Sequence, residues 1–213
     1  METVYDSFII GKGMIGSAAA KYLSRSGENV AITGPDESTA LKDGVVFSSH
    51  YDQSRIQRII GKDDTWTRLN QQAVDEYPTL EHSTGIRFHS DIGCLYVNPY
   101  GSDAYLDASS AQASKFHLNF PGFLNAEKIS AAFPDFQFPS FSAGLFEAAP
   151  SGHINPRLLI QAQLKSAEQN GVQIFNETIN NISYENGQIK ITALNGKIFY
   201  AKKVLLAPGA FIN

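Results

Sequence analysis

Val4-Tyr5-Asp6-Ser7-Phe8-Ile9-Ile10-Gly11-Lys12-Gly13-Met14-Ile15-Gly16-Ser17-Ala18-Ala19-Ala20 is the stretch on which the fold of this chain turns. A largely apolar run ends abruptly in glycine, and an alanine-rich segment follows. Val4 to Ile10 predicts a short buried strand. Met14 to Arg25 predicts a helix, with Gly27 as the residue that closes it. Asn29 to Thr33 predicts a second strand, broken by Gly34-Pro35. Strand, glycine turn, helix and strand in this order make a βαβ unit.

Gly11, Gly13 and Gly16 match the GxGxxG spacing, and each glycine has its own physical reason. The first allows the tight turn out of the strand, the second lets a pyrophosphate approach the backbone, and the third lets helix and strand pack closely. Met14 and Ile15 open the helix, whose N-terminal amides and partial positive charge suit phosphate. Residues 11–16 are therefore candidate dinucleotide ligands. The second strand of such a unit normally ends in an acid that binds ribose hydroxyls. Here Thr33 is followed by Gly34. Asp36 and Glu37 lie just beyond, as replacements for that acid or as solvated loop residues. The gap argues against ordinary NAD binding and leaves FAD open.

Working outward, residues 36–52 look loop-like. Residues 63–82 predict a helix with Trp66, Leu69, Ala73, Val74 and Tyr77 on one face, which Pro78 should kink or end. Residues 92–97 and 145–149 predict strands and 104–116 a helix, while the Phe- and Pro-rich stretch 122–142 reads as a packed irregular connection. Pro156 opens a helix to about Asn170, closed by Gly171. Residues 172–175, 179–184, 188–194, 197–203 and 204–207 predict short strands, with Asn186-Gly187 a strong hairpin signal. The expected fold is α/β, with one Rossmann-like nucleotide-binding domain interrupted by material from another. Residues 1–85 and 150–213 are assigned to the first and 86–149 to the second.

Bulk composition narrows the partners. The chain has 213 residues, 43% hydrophobic and 18% charged, a balance that supports a packed core. A net charge of -4 argues against nucleic acid or anionic membrane as a partner. The single cysteine, Cys94, excludes an internal disulfide and a thiolate metal cluster. No metal site is expected. The start of the chain carries Glu2 and Asp6 and no basic leader, and no apolar stretch nears membrane-spanning length. A cytoplasmic, non-membrane protein is expected.

Three blocks carry a resemblance to the D-amino-acid oxidase/sarcosine oxidase superfamily, nearest in pattern to its sarcosine oxidase branch. They are the βαβ unit from Tyr5 to Gly34, the run Ser48-Ser49-His50-Tyr51-Asp52-Gln53-Ser54-Arg55-Ile56-Gln57-Arg58, and Gly152-His153-Ile154-Asn155-Pro156 with its helix, closing on Leu205-Leu206-Ala207-Pro208-Gly209-Ala210. The resemblance implies a Rossmann-like FAD/NAD(P)-binding domain of the glutathione-reductase-like type, interrupted by part of an α+β substrate domain with an antiparallel sheet. It implies a non-covalently bound FAD, because Cys94 does not match the flavin-linking cysteine of some members. It implies cofactor contacts from Gly11, Gly13, Met14, Ile15, Gly16, Thr33, Gly34, Asp36, Ser49, His50, Ser54, Arg55, Ala207, Pro208 and Gly209. His50 and Arg55 would lie beside the flavin ring, where positive charge favours the reduced anion. Arg58 would face the substrate and grip a carboxylate with its planar fork. The remaining histidines are expected to be structural.

The implied activity is oxidation of the C–N bond of an amino acid or N-methyl amino acid by hydride transfer to flavin, with oxygen or another acceptor taking the electrons. The family's catalytic lysine lies in a C-terminal half, so these 213 residues are expected to be incomplete as a catalyst. Two alternatives stay open: a flavin-dependent 2-hydroxy-acid dehydrogenase of the same superfamily, and a truncated nucleotide-binding protein without turnover. No GxSxG or HExxH sequence supports a hydrolase.

Overall fold

The computed structural model describes residues 3–37, 50, 52–118 and 122–212. The chain divides into two compact units: Met1–Gln53 with Leu80–Arg87 and Pro156–Asn213, and Ser54–Thr79 with Phe88–Asn155. It is a mixed α/β fold with both parallel and antiparallel pairing.

The first unit is built on β1 (Val4–Ile10), α1 (Met14–Leu23) and β2 (Val30–Thr33). A second group of elements in it lies later in the chain: α5 (Pro156–Gln169), β9 (Gln173–Phe175), β10 (Ile179–Glu185), β11 (Gln188–Ala193) and β12 (Ile198–Leu206). One six-stranded sheet runs β10-β11-β12-β1-β2-β9. β12, β1, β2 and β9 are parallel, whereas β10, β11 and β12 form an antiparallel meander. Side chains alternate across β1, so its two faces enter different cores. Phe8 and Ile10 enter, on one side, a cluster that also holds Tyr5, Ala31, Ile191, Phe199 and Ala201. Ile9 joins Ala20 of α1, Val30, Ile32, Ala167 of α5 and Val172 on the other. A strand buried on both faces must be apolar throughout, and that is why Phe8-Ile9-Ile10 was legible as a central strand.

The second unit holds β3 (Arg55–Gln57), most of α2 (Asp64–Thr84), β4 (His89–Ser90), β5 (Cys94–Asn98), α3 (Ala104–Lys115), β6 (Phe123–Asn125), α4 (Ala126–Ala132), β7 (Ala143–Glu147) and β8 (Gly152–Ile154). Two small antiparallel sheets result, β3-β8-β4 and β5-β7-β6. Ile60, Leu106, Ala113, Ala143 and Leu145 form the core. Asp103 caps α3 by accepting from the Leu106 amide at 2.8 Å.

The expected helix over 63–82 is present as α2, Asp64–Thr84, and does not end at Pro78. Two expectations are corrected. The stretch 122–142 contains β6 and α4, which the Asn125 side chain caps and Ile129 anchors in the core. The last two predicted strands are one, β12, because its first half pairs with β11 and its second with β1.

Candidate functional site

Parallel pairing brings three strand ends to one edge of the large sheet: Ile10 lies opposite both Thr33 and Leu206. The glycine turn begins there. Gly11 has φ +111°, a conformation glycine adopts at little cost. Its amide donates to the Thr33 carbonyl at 2.8 Å, and the Ala207 amide donates to the Ile10 carbonyl at 2.8 Å. A Cβ at Gly11 would lie 2.2 Å from the Ala207 carbonyl oxygen, and one at Gly16 would lie 1.8 Å from the Gly11 carbonyl oxygen. α1 therefore packs directly on the turn. It begins after Gly13 with no side-chain cap and no acid in its first turn. The first-turn amides of a helix have no intrahelical acceptors, so this end suits an anion. Pro208 and Gly209 follow, and Gly209 opens a single 3-10 turn. Gly11, Gly13, Met14, Ile15, Gly16, Thr33, Gly34, Ala207, Pro208 and Gly209 thus surround one sheet edge. With no side chain at Gly11, Gly13 or Gly16, the turn leaves its backbone open to a pyrophosphate.

The surroundings of Gly34 show why no acid stands there. A Cβ there would meet the Lys12 amide nitrogen at 2.9 Å and the Lys12 Cγ at 3.3 Å. Lys12 lays its stem over Gly34, with its side chain only 8% exposed, and its ammonium pairs with Asp36 at 2.5 Å. Asp36 remains 52% exposed, and its amide donates to the Asn176 side chain at 2.7 Å. Glu37 is held differently, by Arg157 of α5 at 2.6 Å. The Thr33 hydroxyl is engaged with the Glu177 backbone.

Within the second unit, a cleft of about 460 Å3 is lined by Ile56, Arg58, Lys62, Trp66, Tyr77 and Tyr105, among others. Arg58 follows β3 immediately. Its guanidinium donates to the Tyr105 hydroxyl and lies over two rings, 5.7 Å from Tyr96 and 5.8 Å from Tyr105. Behind it, buried Glu147 accepts from the Ile59 amide at 2.5 Å, the Ile60 amide at 3.1 Å, the Tyr96 hydroxyl at 3.1 Å and the Ser151 hydroxyl. Burial, and then the Glu147 carboxylate, push Tyr96 well above the usual phenol range, so the ring stays neutral. The same two causes raise the Cys94 thiol.

Of the other predicted residues, His50 is buried and belongs to the first unit. Ser54 is exposed and Arg55 half-buried on β3, opposite Ile154, in the second. Ser49 lies outside the described residues. Sequence reasoning missed Lys12, Tyr96, Tyr105 and Glu147. Two signals were present: a cation inside the glycine motif facing a strand that ends in Gly34, and a lone acid in the apolar run Ala143-Gly144-Leu145-Phe146-Glu147-Ala148-Ala149. Among the described residues no cluster of His, Cys, Asp and Glu could hold a metal ion, and no helix is long and apolar enough to cross a membrane.

Comparison with known proteins fits this geometry. N-methyl-L-tryptophan oxidase of Shigella dysenteriae serotype 1 (strain Sd197) is 28% identical over 211 residues, covering 98% of this chain and 55% of the relative. Among solved structures, L-proline dehydrogenase from P. horikoshii superposes with a TM-score of 0.79 at 17% identity, over 99% of this chain and 54% of that one. Glycine oxidase from Bacillus cereus ATCC 14579 does so with a TM-score of 0.74 at 20% identity, over 97% and 56%. The chain spans about half the length of the relatives it matches. Residues 6–213 match the family described as DAO, FAD dependent oxidoreductase. The chain therefore belongs to the DAO family of FAD-dependent oxidoreductases.

Proposed function

We propose that this chain forms the FAD-binding and carboxylate-gripping part of an amine or amino-acid oxidoreductase. The reading is that it acts on the C–N bond of an amino acid or N-methyl amino acid. The observation that carries it is the glycine turn, where neither Gly11 nor Gly16 has room for a side chain at the shared carboxyl edge of β1, β2 and β12. Open α/β sheets bind ligands at that edge. In this reading the large sheet is a Rossmann-like domain of the glutathione-reductase-like type, made of residues 1–85 and 150–213, and 86–149 begin the substrate domain. The cleft residues 56–77 pack with the second unit and serve the substrate side.

The chain's own residues then have distinct tasks. The 11–16 turn and the start of α1 hold the pyrophosphate, without a covalent link. Asp36, oriented by Lys12, takes the ribose hydroxyls in place of the side chain that Gly34 lacks. Ala207, Pro208 and Gly209 wall the same edge. Arg55 supplies positive charge that complements the reduced flavin, and His50 and Ser54 are further candidate flavin contacts. Bound FAD would supply the two-electron acceptor for the C–H beside the substrate nitrogen. Arg58 holds the substrate carboxylate and so fixes which C–H faces that acceptor. The rings of Trp66, Tyr77 and Tyr105 offer apolar walls for a side chain or N-substituent. The relatives' names support an amino-acid substrate: one is an N-methyl-L-tryptophan oxidase. A single thiol, Cys94, accords with a cytoplasmic setting.

The test uses the full-length protein. Purified protein should be yellow, and denaturation should release its FAD intact. Sarcosine, glycine, L-proline, N-methyl-L-tryptophan and 2-hydroxy acids are then added anaerobically. Bleaching by an amino acid supports the proposal. Bleaching by 2-hydroxy acids alone replaces it with the hydroxy-acid dehydrogenase reading, and a colourless protein that binds no FAD overturns it.

A further inference from the structure

Glu147 is a side chain that the proposed chemistry does not use, and its surroundings are unusual. It ends β7 and is only 2% exposed. A carboxylate taken out of water is costly unless its lone pairs are satisfied. Here the satisfaction comes from neutral donors. Oε1 accepts from the Ile59 and Ile60 amides and the Ser151 hydroxyl, and Oε2 accepts from the Tyr96 hydroxyl. Three of these four donors bear on Arg58. Ile59 and Ile60 are the two residues that follow it, so Glu147 fixes the backbone from which the Arg58 side chain leaves. Tyr96 carries the ring over which the guanidinium lies, 5.7 Å from its centre, so the same carboxylate fixes the surface that supports the charged head. Strand register makes this possible. Cys94 lies opposite Glu147, and Tyr96, two residues on, projects from the same face of β5. Gly144 keeps β7 close to this strand, because a Cβ there would lie 2.5 Å from the Tyr96 carbonyl oxygen.

We infer that Glu147 is a positioning residue that holds Arg58, by its backbone and by its aromatic support, in the geometry that receives the substrate carboxylate. This rests on the reading that Arg58 grips that carboxylate. A purely structural role would not require that the groups gathered by one buried acid converge on one exposed guanidinium. The arrangement spends a buried charge on orienting an arginine whose fork loses less entropy per hydrogen bond when it is already in place.

The experiment measures acetate binding to the FAD-loaded full-length protein by calorimetry, well below its melting temperature. The variants are Arg58→Ala, Glu147→Gln, Tyr96→Phe and the pair Glu147→Gln/Tyr96→Phe, with FAD content and circular dichroism as controls. Arg58→Ala should weaken acetate by about tenfold to a hundredfold, as for a lost charge-assisted hydrogen bond. Glu147→Gln should weaken it by about tenfold and Tyr96→Phe by about fivefold, and the double variant should be no weaker than Glu147→Gln alone, because both act through one route. With an amino-acid substrate, Glu147→Gln should raise KM more than it lowers kcat. If Arg58→Ala weakens acetate while folded Glu147→Gln and Tyr96→Phe bind it like the wild type, the positioning role is wrong and the Arg58 reading stands. If Arg58→Ala binds acetate like the wild type, the Arg58 reading itself is wrong, and this inference with it. Should Glu147→Gln fail to fold, Tyr96→Phe, which removes one hydroxyl, decides the question.

Discussion

Replacing Gly11 by alanine tests the glycine turn most directly, with Gly27→Ala as its internal control. Both glycines have positive φ, +111° and +76°. Either substitution therefore carries a backbone strain of about 1–2 kcal/mol. They differ in what the new methyl meets. Nothing lies within 4 Å of a Cβ at Gly27, whereas one at Gly11 falls 2.2 Å from the Ala207 carbonyl oxygen and 2.6 Å from its carbon. Ordinary carbon–oxygen contact needs roughly 1 Å more, by the separations at which dispersion contacts are favourable. The turn and the end of β12 would have to part by that amount, which strains the Ala207–Ile10 backbone hydrogen bond of 2.8 Å. Its loss and the overpacking add about 2–4 kcal/mol to the strain. Gly11→Ala should thus cost about 3–6 kcal/mol and Gly27→Ala about 1–2, against a total stability of about 5–15 kcal/mol for an ordinary protein. Urea unfolding of both variants, with and without FAD, reads the difference. FAD should rescue Gly27→Ala fully and Gly11→Ala poorly, because only the latter displaces the cofactor cradle. Equal midpoints and equal FAD affinities for the two variants would refute the argument.

Other consequences are equally open to measurement. Asp36→Asn should weaken FAD binding about tenfold, as judged by flavin fluorescence titration, and lower stability by about 1–3 kcal/mol, because the Lys12 ammonium, whose side chain is only 8% exposed, loses its anionic partner. Unchanged FAD affinity would remove Asp36 from the ribose site. Ser17→Ala deletes a buried hydroxyl that donates to Gln163 at 2.6 Å between α1 and α5, and should lower stability by about 1–3 kcal/mol in chemical denaturation. Cys94 is held above the ordinary thiol range by burial and by Glu147, so it should alkylate slowly at neutral pH and speed up only above about pH 9. The sign of the linkage is the same for Tyr96. Both groups are kept neutral by the fold, so the stability they contribute is complete below their unfolded values and falls as pH rises beyond them. An iodoacetamide rate for Cys94 at pH 7.5 equal to that of a free peptide thiol would count against this picture.

What the sequence could show followed from how local each signal is. Gly11-Lys12-Gly13-Met14-Ile15-Gly16 is readable because the turn, helix start and close packing are all set within six residues, and the fully apolar Phe8-Ile9-Ile10 marks a strand with two buried faces. The strands β3, β4 and β8 escaped because segments of two or three residues carry no periodicity. They exist only through pairing between residues about sixty to a hundred apart, as in Arg55 opposite Ile154. Pro78 left two outcomes open, a kink or an end, because a local breaker does not tell whether packing carries the helix past it; α2 continues to Thr84.

The candidate site divides along the same line. Arg58 stands out in the sequence through the Arg55-x-x-Arg58 spacing, whereas the groups that surround it do not. Its support comes from Tyr96 on β5, Tyr105 on α3 and Glu147 on β7, at separations that no motif spans. The same holds at the nucleotide edge. Gly34 looked like a missing ligand when read along β2 alone. In three dimensions it is the space that Lys12 occupies, and Lys12 pairs with Asp36, two residues on. A motif departure that removes a side chain is therefore best weighed together with any unusual side chain that the same motif gains. In this chain a side chain at residue 34 would clash with Lys12, and loss of Lys12 would leave Asp36 without its cation.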